Sequence, residues 1–236
     1  MIELLHQIEQ IDTQIFLFFN GFHNVYWDYF MMIFSDRFVW VPFYASFIFV
    51  LLKNFPVKVV MSTIVVITLI ILFSDQTASG ILKPLVARMR PSNPDNPISP
   101  MVHVVQGYRG GRYGFPSSHA ANAWSMAFFA QYLVRRSKLT IFLCLWALIT
   151  SYSRMYLGVH YFGDILIGTL IGFLYATLYY YIFQYFLRKH TERFKPNHDI
   201  RFASVPIITG LVSIWVIICT SGILSFLLIG KLRLIQ

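Results

Sequence analysis

The chain has 236 residues, of which 57% are hydrophobic and 12% charged, roughly half the charge fraction of an ordinary soluble domain. No soluble core of that size could hide so much apolar surface, so the composition points to lipid as the solvent. The net charge of +9 does not indicate nucleic acid, because the basic residues lie between apolar stretches and not on one dense patch.

The opening MIELLHQIEQIDTQ carries acids and lacks a basic start followed by an apolar run, so no cleavable leader is expected. Residues 15–34 are apolar but interrupted by Asn20, Gly21, His23, Asn24 and Asp28. That pattern predicts an amphipathic helix, or a pair of helices, lying in the membrane interface. Six stretches then read as spans: 38–52, 57–74, 120–134, 139–152, 165–187 and 204–229. A span needs ~20 mostly apolar residues. The shorter ones must borrow flanking residues or let ends such as Arg135 and Lys138 snorkel. The fold class expected is all-α: a polytopic membrane helical bundle of about six transmembrane helices. It forms a single domain over residues 1–236, with an interfacial segment at 1–37.

The short links are basic: Lys53 and Lys58, then Arg135, Arg136 and Lys138, then Arg188, Lys189, Arg193, Lys195 and Arg201. Such loops mark the cytoplasmic face. The stretch 75–119 and the link 153–164 then fall on the extracytoplasmic side of a cell membrane. Cys144 and Cys219 sit in apolar stretches and read as small buried hydrophobes, not a disulfide or metal site. The stretch 75–119 is rich in turn formers, among them Pro91, Pro94, Pro97, Gly107 and Gly114. A loop of that length is usually functional or disordered.

Charge and histidine collect beside lipid in three places. Lys83 and Arg90 are seven apart, two helical turns, so they are predicted to point the same way before Pro91 stops the helix. Pro116-Ser117-Ser118-His119 precedes the third span, and 153–164 precedes the fifth. An even number of crossings separates the last two, so all three can meet on one face. Lys83, Arg90 and Arg154 would repel one another unless an anion sat between them, and a phosphoryl group suits arginine forks. Ser117 and Ser118 open a helix, where free N–H groups also favour an anion. His160 and Asp164 are spaced i, i+4. If that stretch is helical, the carboxylate fixes the imidazole tautomer and leaves the other nitrogen to attack phosphorus. His119 could then give its proton to the leaving alkoxide. The cations already neutralise the phosphate oxygens, so no metal is required.

These segments resemble the type 2 phosphatidic acid phosphatase family, whose pattern reads KxxxxxxRP, PSGH and SRxxxxxHxxxD. Lys83, Arg90 and Pro91 match the first motif; Pro116, Ser117 and His119 match the second. Ser153, Arg154, His160 and Asp164 match the third. The likeness covers about 75–172, with Ser118 at the usual glycine position. Retained activity in an altered pocket is expected from that change. The resemblance implies Lys83, Arg90, Arg154, Ser117 and Ser118 on phosphate, His119 as acid, His160 as nucleophile and Asp164 as its partner. It also implies a reaction without metal or other cofactor on a membrane lipid at the extracytoplasmic face.

The candidate substrates are a polyprenyl diphosphate, phosphatidylglycerol phosphate, phosphatidic acid or the phosphate of a lipid A-type glycolipid. Phosphotransfer to another hydroxyl is a sibling reading. A transporter that grips an anionic lipid is a different class, since charges at this depth often serve transport. No protein partner is evident. Arg109, Arg112, His103, Tyr108 and Tyr113 are expected as solvated loop residues, with headgroup recognition as the alternative. His6, His23, His190 and His198 lack motif partners and are expected at the surface.

Overall fold

A computed structural model describes residues 2–190 and 200–233. Among these the chain forms nine α-helices and no β-ladder beyond one isolated bridge, Met89 with Tyr113. They are α1 (Ile2–Asn20), α2 (Val25–Phe34), α3 (Val41–Asn54), α4 (Val57–Asp75), α5 (Lys83–Val86), α6 (Ser118–Val134), α7 (Ser137–Tyr156), α8 (Phe162–His190) and α9 (Val205–Arg233).

Local chemistry sets the boundaries. The Asn24 side chain accepts from Trp27 N and opens α2 after the Gly21 break. Pro56 starts α4, which runs through a π-helical stretch, Gln76–Leu82, into α5. Pro84 has no N–H for the regular ladder, and the widened turn ahead of it accommodates the loss. Ala87 then takes a left-handed conformation (φ 50°) and ends the helix. Ser117 caps α6, and Arg135, also left-handed, closes it.

Helix α6 is the hub, packed by α4, α7 and α8. Its buried side is small over the first three turns, with Ala120, Ala121, Ala123, Ser125 and Ala127, and larger toward its end, with Phe129, Leu133 and Val134. On α8, Gly168 and Gly172 complete the fit. A Cβ on Gly168 would overlap the Ser117 carbonyl oxygen, and one on Gly172 that of Ala121. Small residues four apart let two membrane helices touch backbone to backbone. This contact sets the N-terminus of α6 beside that of α8.

Four segments are long and apolar enough to cross a membrane: Val57–Val86, Ser137–Tyr156, Phe162–Leu187 and Val205–Lys231. A fifth crossing exists if Val25–Phe34 and Phe38–Asn54, bent by 66°, count as one. Among the described residues four or five segments therefore qualify by length and composition, against the six expected. The difference lies in α6, whose 17 residues are shorter than a regular span. Residues 15–34 do form two helices, but α2 joins the bundle: Phe30, Met31 and Phe34 are buried, and α2 packs on α7 and α9. Cys144 and Cys219 are free and only partly buried.

His23 is exposed, as expected, and His103 is half-buried, but the two are in contact. His23 stacks on His103 at 3.7 Å, and His103 Nε2 meets Asp28 Oδ1 at 3.0 Å. Asn20 donates to the His103 carbonyl and accepts from its N–H, which pins the loop to α1. Arg193, Lys195 and His198 lie outside the described residues.

The links at 53–58 and 135–137 lie at the end of the bundle where α3, α6 and α8 finish and α4, α7 and α9 begin. Arg201 joins them, exchanging two hydrogen bonds with Asn54. The three motif segments lie at the other end.

Candidate active site

The first motif does not form two helical turns. Lys83 stands on α5, whereas Arg90 lies beyond the left-handed Ala87 in an extended segment. That segment is zipped to the return of the loop: Arg90 N donates to Arg112 O (3.2 Å) and Gly114 N to Arg88 O (2.9 Å). Arg90 reaches the site by a chain reversal, not by helical periodicity. The loop itself is ordered on the protein. Asn93 donates to Arg112 O, Asn96 to Arg90 O and to the Tyr161 hydroxyl, and Arg109 to Ser92 O.

Ser117 is fully buried. Its Oγ accepts from Ala120 N at 3.3 Å, and its own N–H donates to the Asp164 carbonyl at 2.9 Å. The hydroxyl is thus engaged as a helix cap. The first N–H groups of a helix have no partner within it; here they belong to Ser118 and His119. Ser118 Oγ accepts from Lys83 Nζ at 3.4 Å, and Lys83 also donates to Ser79 Oγ at 3.1 Å. The serine at the glycine position therefore ties down the first cation.

Arg154 is buried at the end of α7. It donates to Ser35 Oγ and to the Tyr108 hydroxyl (3.0 Å), while its Nε is buried with no hydrogen-bond partner among the described residues. Tyr108 is exposed, as expected of the loop, and its hydroxyl reaches the site through Arg154.

His160 and Asp164 are both buried. Nδ1 of His160 lies 3.2 Å from Asp164 Oδ2, and Nε2 lies 3.3 Å from Arg90 Nη1. A guanidinium can only donate, so Nε2 is the acceptor and Nδ1 carries the proton toward Asp164. The i, i+4 pair meets, but not through a helical turn. His160 precedes α8, and Asp164, in its first turn, also accepts from Tyr161 N at 3.0 Å. This is the carboxylate half of a capping box. Burial, then the nearby Arg90, Arg154 and Lys83, hold His160 well below the ordinary imidazole range, so the ring is neutral and Nε2 keeps a lone pair, which Arg90 Nη1 engages here. His119 stands within electrostatic reach of Arg154, His160, Lys83 and Arg90.

All eight residues singled out in the sequence come together here. Others were not singled out. A Cβ on Gly114 would sit 2.9 Å from Asp164 Oδ2, so only glycine lets the loop close over the pair. Arg88 binds Asp164 Oδ1 at 3.1 Å and Asp12 Oδ2 at 2.7 Å. Arg88 sits inside the first motif and Gly114 just ahead of the second; Asp12 and Ser35 carry no sequence signal. Among the described residues, no three His, Cys, Asp or Glu side chains gather as a metal site.

Beside the site, an apolar cavity of about 550 Å³ runs between α3, α4, α6 and α7. Phe47, Leu51, Ile64, Ile67 and Trp146 line it, and Ser118, His119 and Asp75 lie at its polar end.

The family model for the PAP2 superfamily matches residues 58–188, which include every motif residue. The chain is 45% identical over 232 residues to a lipid A 4'-phosphatase of Bacteroides thetaiotaomicron, covering 95% of this chain and 100% of that one. It is 33% identical over 182 residues to a lipid A 4'-phosphatase of Porphyromonas gingivalis, covering 77% and 76%. No solved structure matches it. The helical bundle, the converged motifs and these likenesses together place the chain in the PAP2 superfamily, as a membrane lipid phosphatase.

Proposed function

We propose that the protein hydrolyses the phosphate monoester of a lipid A-type glycolipid, through a phosphohistidine at His160, on the extracytoplasmic face. The observation that carries the mechanism is the placing of His160: Nδ1 lies 3.2 Å from Asp164 Oδ2 and Nε2 3.3 Å from Arg90 Nη1, which assigns the proton to Nδ1 and the lone pair to Nε2. Nε2 attacks phosphorus as the bond from phosphorus to the lipid oxygen breaks. His119 gives its proton to that oxygen. Water, relieved of a proton by His119, then attacks the phosphohistidine, releases inorganic phosphate and restores Nε2. Lys83, Arg90 and Arg154 neutralise the charge on the three equatorial oxygens. Burial, then those cations, oppose a proton on His119, and a phosphate dianion among them favours one.

Two observations favour a lipid A-type substrate over the other candidates. Two relatives that cover most of this chain carry that activity in their names. The apolar cavity ending at His119 suits an acyl chain whose headgroup phosphate sits among the cations. The basic links at the opposite end of the bundle favour a cytoplasmic location for that end.

The test is phosphate release by purified protein in detergent with EDTA present. Lipid A, phosphatidic acid, phosphatidylglycerol phosphate and a polyprenyl diphosphate form the panel. Release is expected to be fastest from lipid A and unchanged by the chelator. Faster release from another lipid overturns the substrate class, loss with EDTA overturns the mechanism, and lipid dephosphorylation without free phosphate indicates transfer. For orientation, Arg112→Cys is expected to react with an impermeant maleimide from outside the cell membrane; labelling only from the cytoplasmic side reverses the assignment.

Ser118→Gly removes the contact with Lys83 Nζ. The expected result is a fall in kcat/KM of about fivefold, ~1 kcal/mol, the worth of one long hydrogen bond. Kinetics on the same lipid check it.

A further inference from the structure

Arg88, at an unspecified position inside the first motif, is a cation bound directly to Asp164. Its Nη1 donates to Asp164 Oδ1 at 3.1 Å, while Asp164 Oδ2 serves His160 Nδ1 and Tyr161 N. The guanidinium lies 3.8 Å over the Tyr161 ring, which fixes its plane. Asp12, from α1, holds the same Nη1 at 2.7 Å through Oδ2 and accepts from Gly163 N at 2.8 Å through Oδ1. Asp12 lies outside the family-matched region and is itself buried.

We infer that Arg88 and Asp12 are positioning residues for the nucleophile, holding the Asp164–His160 pair in its attacking tautomer. A buried carboxylate without a cation takes up a proton, and a protonated Asp164 would no longer accept firmly from Nδ1–H. Lys83, Arg90 and Arg154 belong to the phosphate. Arg88 therefore keeps Asp164 ionised, and Asp12 keeps Arg88 in place. Together Asp12, Arg88 and Asp164 carry one net negative charge, which balances the positive charge that the imidazole gains as Nε2 bonds to phosphorus. The amphipathic helix α1 thus becomes part of the active unit. The kinetic part of this inference rests on the proposed function.

The test combines kinetics with nitrogen NMR. Arg88→Gln is expected to lower kcat about 10²-fold with KM changed less than about threefold, and Arg88→Lys to recover most of the loss. Asp12→Asn is expected to lower kcat about tenfold. In an Asp164→Asn background, Arg88→Gln is expected to add less than about threefold, because the cation acts through that carboxylate. In ¹⁵N-histidine spectra, the His160 signal, assigned by its absence in His160→Ala, is expected as the Nδ1–H tautomer in the unaltered protein and as a mixture in Arg88→Gln. Full kcat, a rise in KM alone, full additivity with Asp164→Asn or an unchanged tautomer each overturns the inference. If Arg88→Gln does not fold, unaltered kcat and tautomer in both Arg88→Lys and Asp12→Asn overturn it. If no lipid phosphate is turned over, the proposed function fails, and the tautomer still decides the positioning.

Discussion

His160→Ala is expected to lower kcat for phosphate release by about 10⁵-fold, on the scale of losing a covalent nucleophile. Nothing nearby can replace it. His119 sits at the start of α6 and has no carboxylate in its own motif, while Nε2 of His160 has both a fixed tautomer and Arg90 beside it. Phosphate affinity is expected to survive, because Lys83, Arg90, Arg154 and the α6 terminus are untouched. Equilibrium binding of a lipid phosphate, measured with release on the same sample, separates the two effects. Under the transport reading neither quantity changes much. A variant that still releases phosphate within tenfold of the unaltered rate would remove His160 from the chemistry. Rapid quench with ³²P-labelled lipid adds a direct check: acid-labile, base-stable label on the protein is expected before the change and none after it.

Much of the site was legible because its chemistry is dense in the sequence. Ser117 and His119, Arg154 and His160 all sit where apolar runs begin or end, and apolar runs are the clearest signal in a membrane chain. Helix number was less legible. Helix α6 is short because its work is packing: alanines face Gly168 and Gly172 on α8, so it is buried among helices and lipid thickness does not set its length. The Lys83–Arg90 spacing misled, since a left-handed alanine at 87 has no signature in sequence and turns the chain before the second helical turn can form. The His160–Asp164 spacing pointed to a true contact for a different reason. A capping carboxylate and a helical i, i+4 pair have the same separation, and only coordinates tell them apart. The bond from Arg88 to Asp12 joins residues 76 apart, and Asp12 lies in a segment read only as interfacial.

Arg90 is the residue on which charge and geometry meet, and Arg90→Ala is expected to lower kcat/KM about 10³-fold, ~4 kcal/mol. Its fork is held by backbone: Nε donates to Tyr113 O at 3.1 Å and Nη1 to Val159 O at 3.3 Å. Those carbonyls come from the two sides of the site, the returning loop and the turn before His160. The guanidinium therefore reaches the nucleophile already oriented. A lysine keeps the charge but cannot serve two carbonyls and an equatorial phosphate oxygen together, because it is a point charge on a flexible stem. Arg90→Lys is accordingly expected to recover no more than about tenfold of the alanine loss. If charge alone mattered, lysine would restore nearly all of it. Inhibition by orthovanadate, whose five-coordinate adduct resembles the transition state, gives the second readout. Weakening in parallel with kcat/KM across the unaltered protein, Arg90→Lys and Arg90→Ala ties the fork to the transferring group. Equal vanadate affinity in Arg90→Ala and in the unaltered protein would assign Arg90 to the loop's architecture and leave the transition state to Lys83 and Arg154.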